Sequence, residues 1–285
     1  MTFAWPYPPL CAHRGAGKLA PENTLAAMRL GHQHGYRMVE FDVKLAAHRG
    51  AGKLAPENTL AAMRLGYARG YRMVECDVKL SADGVAFLLH DATLDRTTNA
   101  KGRADAATWR ELAQLDAGGW HSPAYAGEPL PALASIARWS RAHGVAVNVE
   151  IKPTPGRERE SGAAIALDTA ALWTGADVQP LLSSFSEAAL EGARDAVKAL
   201  PRAYLADRLL DDWRERIARV ACIAVDVEHS LLSQTLCGTL RDAGLRIAAW
   251  TVNDPARVAE LLQWGVDTVI TDAVDVIPPK SVSEV

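Results

Sequence analysis

The sequence predicts an α/β fold, a (β/α)8 TIM barrel, with a small insertion after the second-strand hairpin and a duplicated N-terminal βα segment. Three observations lead there. The chain has 285 residues, and removing one copy of an internal repeat with a 35-residue offset leaves 250, the usual size of such a barrel. Short apolar runs alternate with stretches of helical periodicity, as expected for parallel strands joined by crossover helices. Residues able to carry chemistry fall at the ends of those runs, where barrels of this kind build their sites.

The repeat comes first in the chain. Residues 12–45 and 47–80 align over 34 positions and differ at four: His32/Tyr67, Gln33/Ala68, His34/Arg69 and Phe41/Cys76. Two units are too few for a solenoid, and nothing after Leu80 continues the pattern. The repeat therefore reads as a tandem duplication of one βα unit inside a single domain spanning 1–285.

Strand-like runs follow at "MVECDV", "VAVNVEIK", "PLLSSF", "RAYLAD", "CIAVDV", "RIAAWTV" and "DTVIT". With one copy of "CAHRG" or "AAHRG" the count is eight. "VAFLLHD" would be a ninth, but it follows "KLSADG". The reading is a hairpin arm over 78–90 with Asp83-Gly84 at its tip, which returns His90 to a place opposite Cys76 and Asp77. Residues 91–131 are rich in turn signals and predict a small insertion with one short helix. Helix signals are plain in "DPARVAELLQWG", where Asp254 caps, Pro255 opens and Gly265 follows the end. "APENTL" likewise predicts a helix start with Pro56 in the first turn, and it places Glu57 and Asn58 at the barrel mouth.

Hydrophobic residues make up 49% of the chain and charged residues 23%, a globular composition able to bury a large core. The net charge of -3 supplies no basic field for nucleic acid. No long apolar run suggests a membrane span or a leader, so a cytoplasmic protein with no membrane partner is expected. Cys11, Cys76, Cys222 and Cys237 lack CxxC spacing and read as buried, inert thiols.

In "VECDVKL", Glu75 and Asp77 are two apart and face the same side of a strand, as do Asn148, Glu150 and Lys152 in "VNVEIKP". Carboxylates inside a barrel are costly unless they pair or hold a metal. Glu75, Asp77 and Glu150 together suit a hard divalent cation, Mg²⁺ or Ca²⁺. A structural network with Lys79, Lys152 and arginines is the competing reading. The histidine of "HRG" and His90 would reach the same mouth, and a histidine pair beside a metal can serve as general base and general acid.

Taken in order, "AHRG", "APENTLAAMRLG", "VECDVKLSADG", "FLLHD", "NVEIKP", "LLSSF", "AAWTVND" and "WGVDTVITDAVDVI" resemble the glycerophosphodiester phosphodiesterase family, and the opening "WPYP" with "DAGGWHSPAYAGEPLP" further resembles its cytoplasmic bacterial members. The resemblance implies a metal held by Glu75 (or Glu40), Asp77 (or Asp42) and Glu150. It implies acid/base histidines at His48 (or His13, the alternative copy) and His90, and phosphate contacts from Arg49 (or Arg14) and Lys152. Trp250 could pack on the substrate; a core tryptophan is an equal reading. The implied reaction is metal-dependent hydrolysis of a small-molecule glycerophosphodiester to sn-glycerol 3-phosphate and an alcohol. The alternative is a catalytically impaired barrel that only binds glycerophosphate ligands.

An eight-stranded barrel has no room for a ninth parallel strand, so one copy must lie largely outside it. An extension at a chain end disturbs closed pairing least, which favours copy two and His48. "MVEFDV" of the displaced copy would then be a sticky strand, and a homo-oligomer or domain swap through it is a hypothesis. A strictly monomeric species in light scattering at all concentrations would sink that. On this reading His48→Ala abolishes turnover and His13→Ala is tolerated; steady-state assays of the two variants giving the reverse would refute it.

Overall fold

The computed structural model describes residues 45–279. His13, Arg14, Glu40, Asp42 and Cys11 lie outside the described residues, as does the first repeat copy up to Lys44. Leu45–Pro278 form one compact unit.

Eight parallel strands close on themselves. β1 (Leu45–Ala47) pairs on one side with β9 (Thr268–Thr271) and on the other with β2 (Met73–Leu80). The ring continues through β4 (Ala146–Ile151), β5 (Leu181–Ser184), β6 (Arg202–Ala206), β7 (Ala224–Glu228) and β8 (Arg246–Trp250) back to β9. β3 (Ala86–Leu88) stands outside the ring, antiparallel to β2, with Val78 opposite Leu88. It is the expected hairpin arm, turned at Ser81–Gly84, where the Ser81 hydroxyl donates to Asp83 and accepts from the Val85 amide.

Alternation along the strands separates structure from chemistry. On β2, Val74, Cys76 and Val78 are fully buried, and Glu75 and Asp77 between them take the opposite face. Apolar side chains on one face pack under the helices, and polar ones on the other enter the barrel lumen.

The helices are α1 (Leu60–Ala68), α2 (Trp109–Leu112), α3 (Leu133–His143), α4 (Glu158–Leu172), α5 (Glu187–Ala196), α6 (Trp213–Val220), α7 (Gln234–Asp242) and α8 (Pro255–Gln263). Their ends follow local chemistry. Ser186, Ser233 and Asp254 accept from amides of the first turns of α5, α7 and α8, satisfying donors that the helix itself leaves free. α1 departs from expectation: it begins at Leu60 with Thr59 as its cap, and Pro56 lies in the preceding turn. Asn58 takes a left-handed backbone, φ 58°, which keeps it out of the helix.

Residues 91–131 contain α2 and two short 3-10 turns, Ala104–Ala106 and Pro123–Tyr125. They have a small core of their own, in which Phe87, Leu89 and Leu94 pack with Leu112 and Leu130. That core anchors the hairpin arm carrying His90. Cys76, Cys222 and Cys237 are free and buried, and burial pushes all three thiols above the usual range.

Two glycines dock α1 on the end of β1. A Cβ on Gly66 would lie 2.0 Å from the Gly50 carbonyl oxygen, and one on Gly50, at φ +99°, would lie 2.7 Å from the Met63 amide nitrogen. By contrast, a Cβ on Gly238 in α7 meets nothing within 4 Å. Gly66→Ala should therefore destabilise by about 2 kcal/mol or more through overpacking, whereas Gly238→Ala should be neutral or stabilise by up to about 1 kcal/mol through helix propensity. Urea unfolding of the two variants checks this, and equal midpoints would contradict it.

Candidate active site

The C-terminal ends of the strands form one cleft of about 200 Å³, lined by His48, Arg49, Glu75, His90, Glu150, Lys152 and Trp250 among others. Each comes from a different local cause. β1 ends in a tight turn, His48–Gly50, in which Arg49 has a left-handed backbone at φ 48°. A non-glycine residue held there is strained, and the turn presents both His48 and Arg49 to the cleft. Register does the rest: β2 and β4 align Glu75 with Asn148 and Asp77 with Glu150. The hairpin returns His90 beside Asp77.

Glu75, Asp77 and Glu150 each offer a carboxylate oxygen, and the three lie within 4.8 Å of one another. They are 3%, 1% and 8% exposed, so their mutual repulsion is poorly screened. Burial, reinforced by the Asp77 charge, pushes Glu75 and Glu150 up to about 8. Burial raises Asp77 too, but Lys152, Arg49 and His90 outweigh it and hold that carboxyl at about 2. Glu75 Oε1 is buried without a hydrogen-bond partner among the described residues. An all-oxygen donor set, crowded with negative charge and incompletely satisfied, fits a hard divalent cation.

The two basic residues are already engaged by acids. Lys152 Nζ lies 2.5 Å from Glu150 Oε1 and 3.3 Å from Asp77 Oδ1. Arg49 reaches Asp77 through Nε at 3.1 Å and Glu57 through Nη1 at 3.0 Å. The competing network of ion pairs is thus present for these two, and it includes the same acids that suit a cation. Lys79 makes no such pair among the described residues, and burial together with the Lys152 charge lowers its ammonium.

The histidines carry matching partners. His48 Nδ1 is 2.6 Å from Asp272 Oδ1, and His90 Nδ1 is 2.8 Å from Asp91 Oδ1. In each case the carboxylate orients the ring and leaves Nε2 for chemistry. Burial works against a charged His48, but Asp272 and Glu75 prevail and raise it above the usual histidine value. Burial lowers His90; the Asp77 charge opposes this, Lys152 and Arg49 reinforce it, and the net position is below the usual value.

Sequence reasoning placed Asn58 at the barrel mouth without its partner and missed three further contributors, Asp272, Asp91 and Arg96. Asn58 donates to Asp77 Oδ2 at 2.7 Å and accepts from the Asp77 amide at 3.0 Å. Asp272 and Asp91 hold the histidines. Arg96 donates to both carboxylate oxygens of Glu57, at 2.8 and 2.7 Å, and to both of Asp91, at 2.7 and 3.0 Å. A signal existed for Asp91, adjacent to His90 in "LLHD", and for Asp272 at the end of "VIT", but nothing local pairs Arg96 with Glu57. Trp250 donates from Nε1 to the Asp226 carbonyl and packs edge-on against Phe185, their centroids 5.5 Å apart. Buried Asp226 also lines the cleft; burial pushes its carboxyl up to about 7 against the Asn148 hydrogen bond.

Comparison with known proteins identifies the setting. The sequence profile of the glycerophosphoryl diester phosphodiesterase family matches residues 13–47 and again 48–276. A glycerophosphodiester phosphodiesterase of Caldanaerobacter subterraneus is 30% identical over 269 residues, covering 92% of each chain. The Bacillus subtilis protein YhdW is 32% identical over 273 residues, covering 94% of this chain and 96% of its own. Among solved structures, an Oleispira antarctica phosphodiesterase in complex with the product sn-glycerol-3-phosphate superposes with a TM-score of 0.77 at 32% identity, covering 85% of this chain and 95% of that one. The glycerophosphodiester phosphodiesterase of Agrobacterium tumefaciens gives 0.72 at 29% identity, covering 85% and 100%. Among the described residues no helix is long and apolar enough to cross a membrane. With the barrel, the acidic cluster and these matches together, the chain belongs to the glycerophosphoryl diester phosphodiesterase family and is an enzyme of that kind.

Proposed function

We propose that the protein hydrolyses glycerophosphodiesters to sn-glycerol 3-phosphate and an alcohol, in a metal-dependent reaction with His48 and His90 as the paired general acid and base. The observation that carries this reading is the convergence of two histidine-carboxylate dyads on one carboxylate triad, His48-Asp272 and His90-Asp91. The Oleispira relative, which binds sn-glycerol-3-phosphate as its product, supports the substrate class.

A divalent cation, Mg²⁺ or Ca²⁺, held by Glu75, Asp77 and Glu150 would supply charge stabilisation at a phosphoryl oxygen. Arg49 and Lys152 then steady the phosphate. Both already point into the cleft and can share their donors between acid partners and substrate oxygens. One histidine takes a proton from the attacking water, or from the substrate's glycerol hydroxyl if a cyclic phosphate forms first and water then opens it to glycerol 3-phosphate, and the other delivers a proton to the departing alkoxide, each through Nε2. The Nδ1 contacts to Asp272 and Asp91 fix ring orientation through both steps. Trp250 and Phe185 form an aromatic wall on which the substrate's carbon skeleton packs. The whole of 1–285 is read as one such domain, with 91–131 as an insertion that braces His90.

Glycerophosphocholine with Mg²⁺ or Ca²⁺ should release glycerol 3-phosphate, and a chelator should stop it. No product with either ion, or release indifferent to chelator, would refute the proposal. Asp272→Asn should lower kcat about 10- to 100-fold with KM little changed, since it leaves the substrate contacts intact and loosens only His48. Wild-type kcat in that variant would remove Asp272 from the proposed dyad.

A further inference from the structure

One polar side chain on the floor of the cleft has no part in this chemistry. β2 and β4 run in register, with Glu75 beside Asn148 and Asp77 beside Glu150, and strand alternation turns all four side chains to the same face. They are the corners of one patch: Glu75 and Asn148 form the deeper pair, Asp77 and Glu150 the pair nearer the mouth. Three corners are the carboxylates whose oxygens lie within 4.8 Å of one another. The remaining corner is an amide, 1% exposed, that lines the same cleft as Glu75 and Glu150.

The amide is oriented from across the barrel. Asn148 Nδ2 donates to Asp226 Oδ2 on β7 at 3.2 Å, which commits the nitrogen and leaves Oδ1 as the free end. Asn148 Oδ1 is buried and accepts no hydrogen bond among the described residues, and the same holds for Glu75 Oε1 at the adjacent corner. The outer corners differ, because Lys152 Nζ lies 3.3 Å from Asp77 Oδ1 and 2.5 Å from Glu150 Oε1. Buried acceptors are nearly always satisfied, yet no donor among the described residues serves the two deeper ones. A water molecule would satisfy both oxygens and leave the carboxylate charge uncompensated. A cation answers both needs at once.

We propose that Asn148 Oδ1 is a further protein ligand to the divalent cation, beside the three carboxylates, and that Asp226 is a positioning residue that holds the amide with its oxygen free for the ion. The inference rests on the reading that Glu75, Asp77 and Glu150 hold such a cation. Side-chain amide carbonyls are ordinary ligands of hard cations, alongside carboxylates. A neutral donor at this corner adds a coordination bond without adding to the repulsion among buried carboxylates, which a charged one would increase in the empty site. Asp226 acts through Asn148, as an outer partner that fixes the direction of a ligand.

The test is metal binding by the full chain without substrate. It uses calorimetric titration with Ca²⁺ and with Mg²⁺, and Tb³⁺ as a luminescent stand-in whose lifetimes in light and heavy water count the bound waters. Asn148→Ala should weaken binding about tenfold or more and admit about one additional water to Tb³⁺. Asn148→Asp keeps an oxygen at that corner but gives up the donor to Asp226, and it should bind at least as tightly as wild type with the water count unchanged. An amide with only a structural role would fail in both variants, since both lose the hydrogen bond to Asp226. If Asn148→Ala does not fold, Asn148→Asp decides alone: retained affinity and hydration support the ligand, whereas weaker binding or an added water overturns it. Wild-type affinity in folded Asn148→Ala would overturn the proposal and leave the carboxylate site standing. Glu75→Gln tells the two failures apart: if wild type binds neither ion, or Glu75→Gln binds like wild type, the metal reading itself falls and the proposal with it.

Discussion

Everything at the cleft depends on one register. Pairing of β2 with β4 sets Asp77 beside Glu150 and Glu75 beside Asn148, and strand alternation turns all four toward the barrel interior. Three buried carboxylates within 4.8 Å cannot all stay ionised without compensation. The surrounding residues supply it in sequence. Lys152 sits between Asp77 and Glu150, Arg49 reaches Asp77 from β1, and Asn58 closes its remaining face. The compensation falls mainly on Asp77, which stays ionised. Glu75 and Glu150 remain pushed up, and these are the groups a divalent cation would bring down.

The same economy links the histidines to the frame. His90 leans on Asp91, Asp91 on Arg96, Arg96 on Glu57, and Glu57 on Arg49. A single guanidinium thus ties the His90 side of the cleft to the Arg49 side. It also ties the hairpin and insertion to the first βα loop, two segments with separate hydrophobic packing. Because the side chain of Arg96 is 44% exposed, its worth lies in geometry more than in Coulomb energy, which solvent weakens at that exposure.

Much of this was legible in the sequence, and the division has a physical basis. Strands, hairpin and helix caps are written in local periodicity and turn chemistry, so "VECDVKL", "SADG" and "DPARVAELLQWG" carry them on their face. Residues sharing a strand face, such as Glu75 with Asp77 or Asn148 with Glu150, follow from parity alone. What parity does not carry is which distant segment supplies a partner. Asp272 meets His48 across 224 positions, and Arg96 meets Glu57 across 39. The place of Asn58 at the mouth was legible but its contact was not: "APENTL" suggested a helix start at Pro56, whereas the helix waits for Thr59 and leaves Asn58 in a left-handed turn aimed at Asp77. Asp226 sits in an ordinary apolar run, "CIAVDV", and only the closed ring brings it against Asn148.

The duplicated segment shows how closure chooses between nearly identical sequences. β1 is hydrogen-bonded on both sides, to β9 and β2, so the ring offers one place and no edge. Two of the four positions at which the copies differ lie where the barrel makes demands. Cys76 is fully buried on β2 between the strand and its covering helices; the first copy carries phenylalanine at the matching point, Phe41, and that volume would overpack a slot shaped for a thiol. Tyr67 on α1 stacks edge-on with His143 and Trp139 of α3, at centroid distances of 5.1 and 6.2 Å, and lies 4.4 Å beneath the Arg72 guanidinium. The matching residue of the first copy, His32, is smaller and lacks the phenol. Copy two is also continuous with the hairpin that delivers His90, and no rearrangement of the other copy could supply that connection without carrying the hairpin with it. Side-chain fit and chain connectivity therefore point to the same occupant of the first strand, and to His48 as the histidine beside the carboxylates.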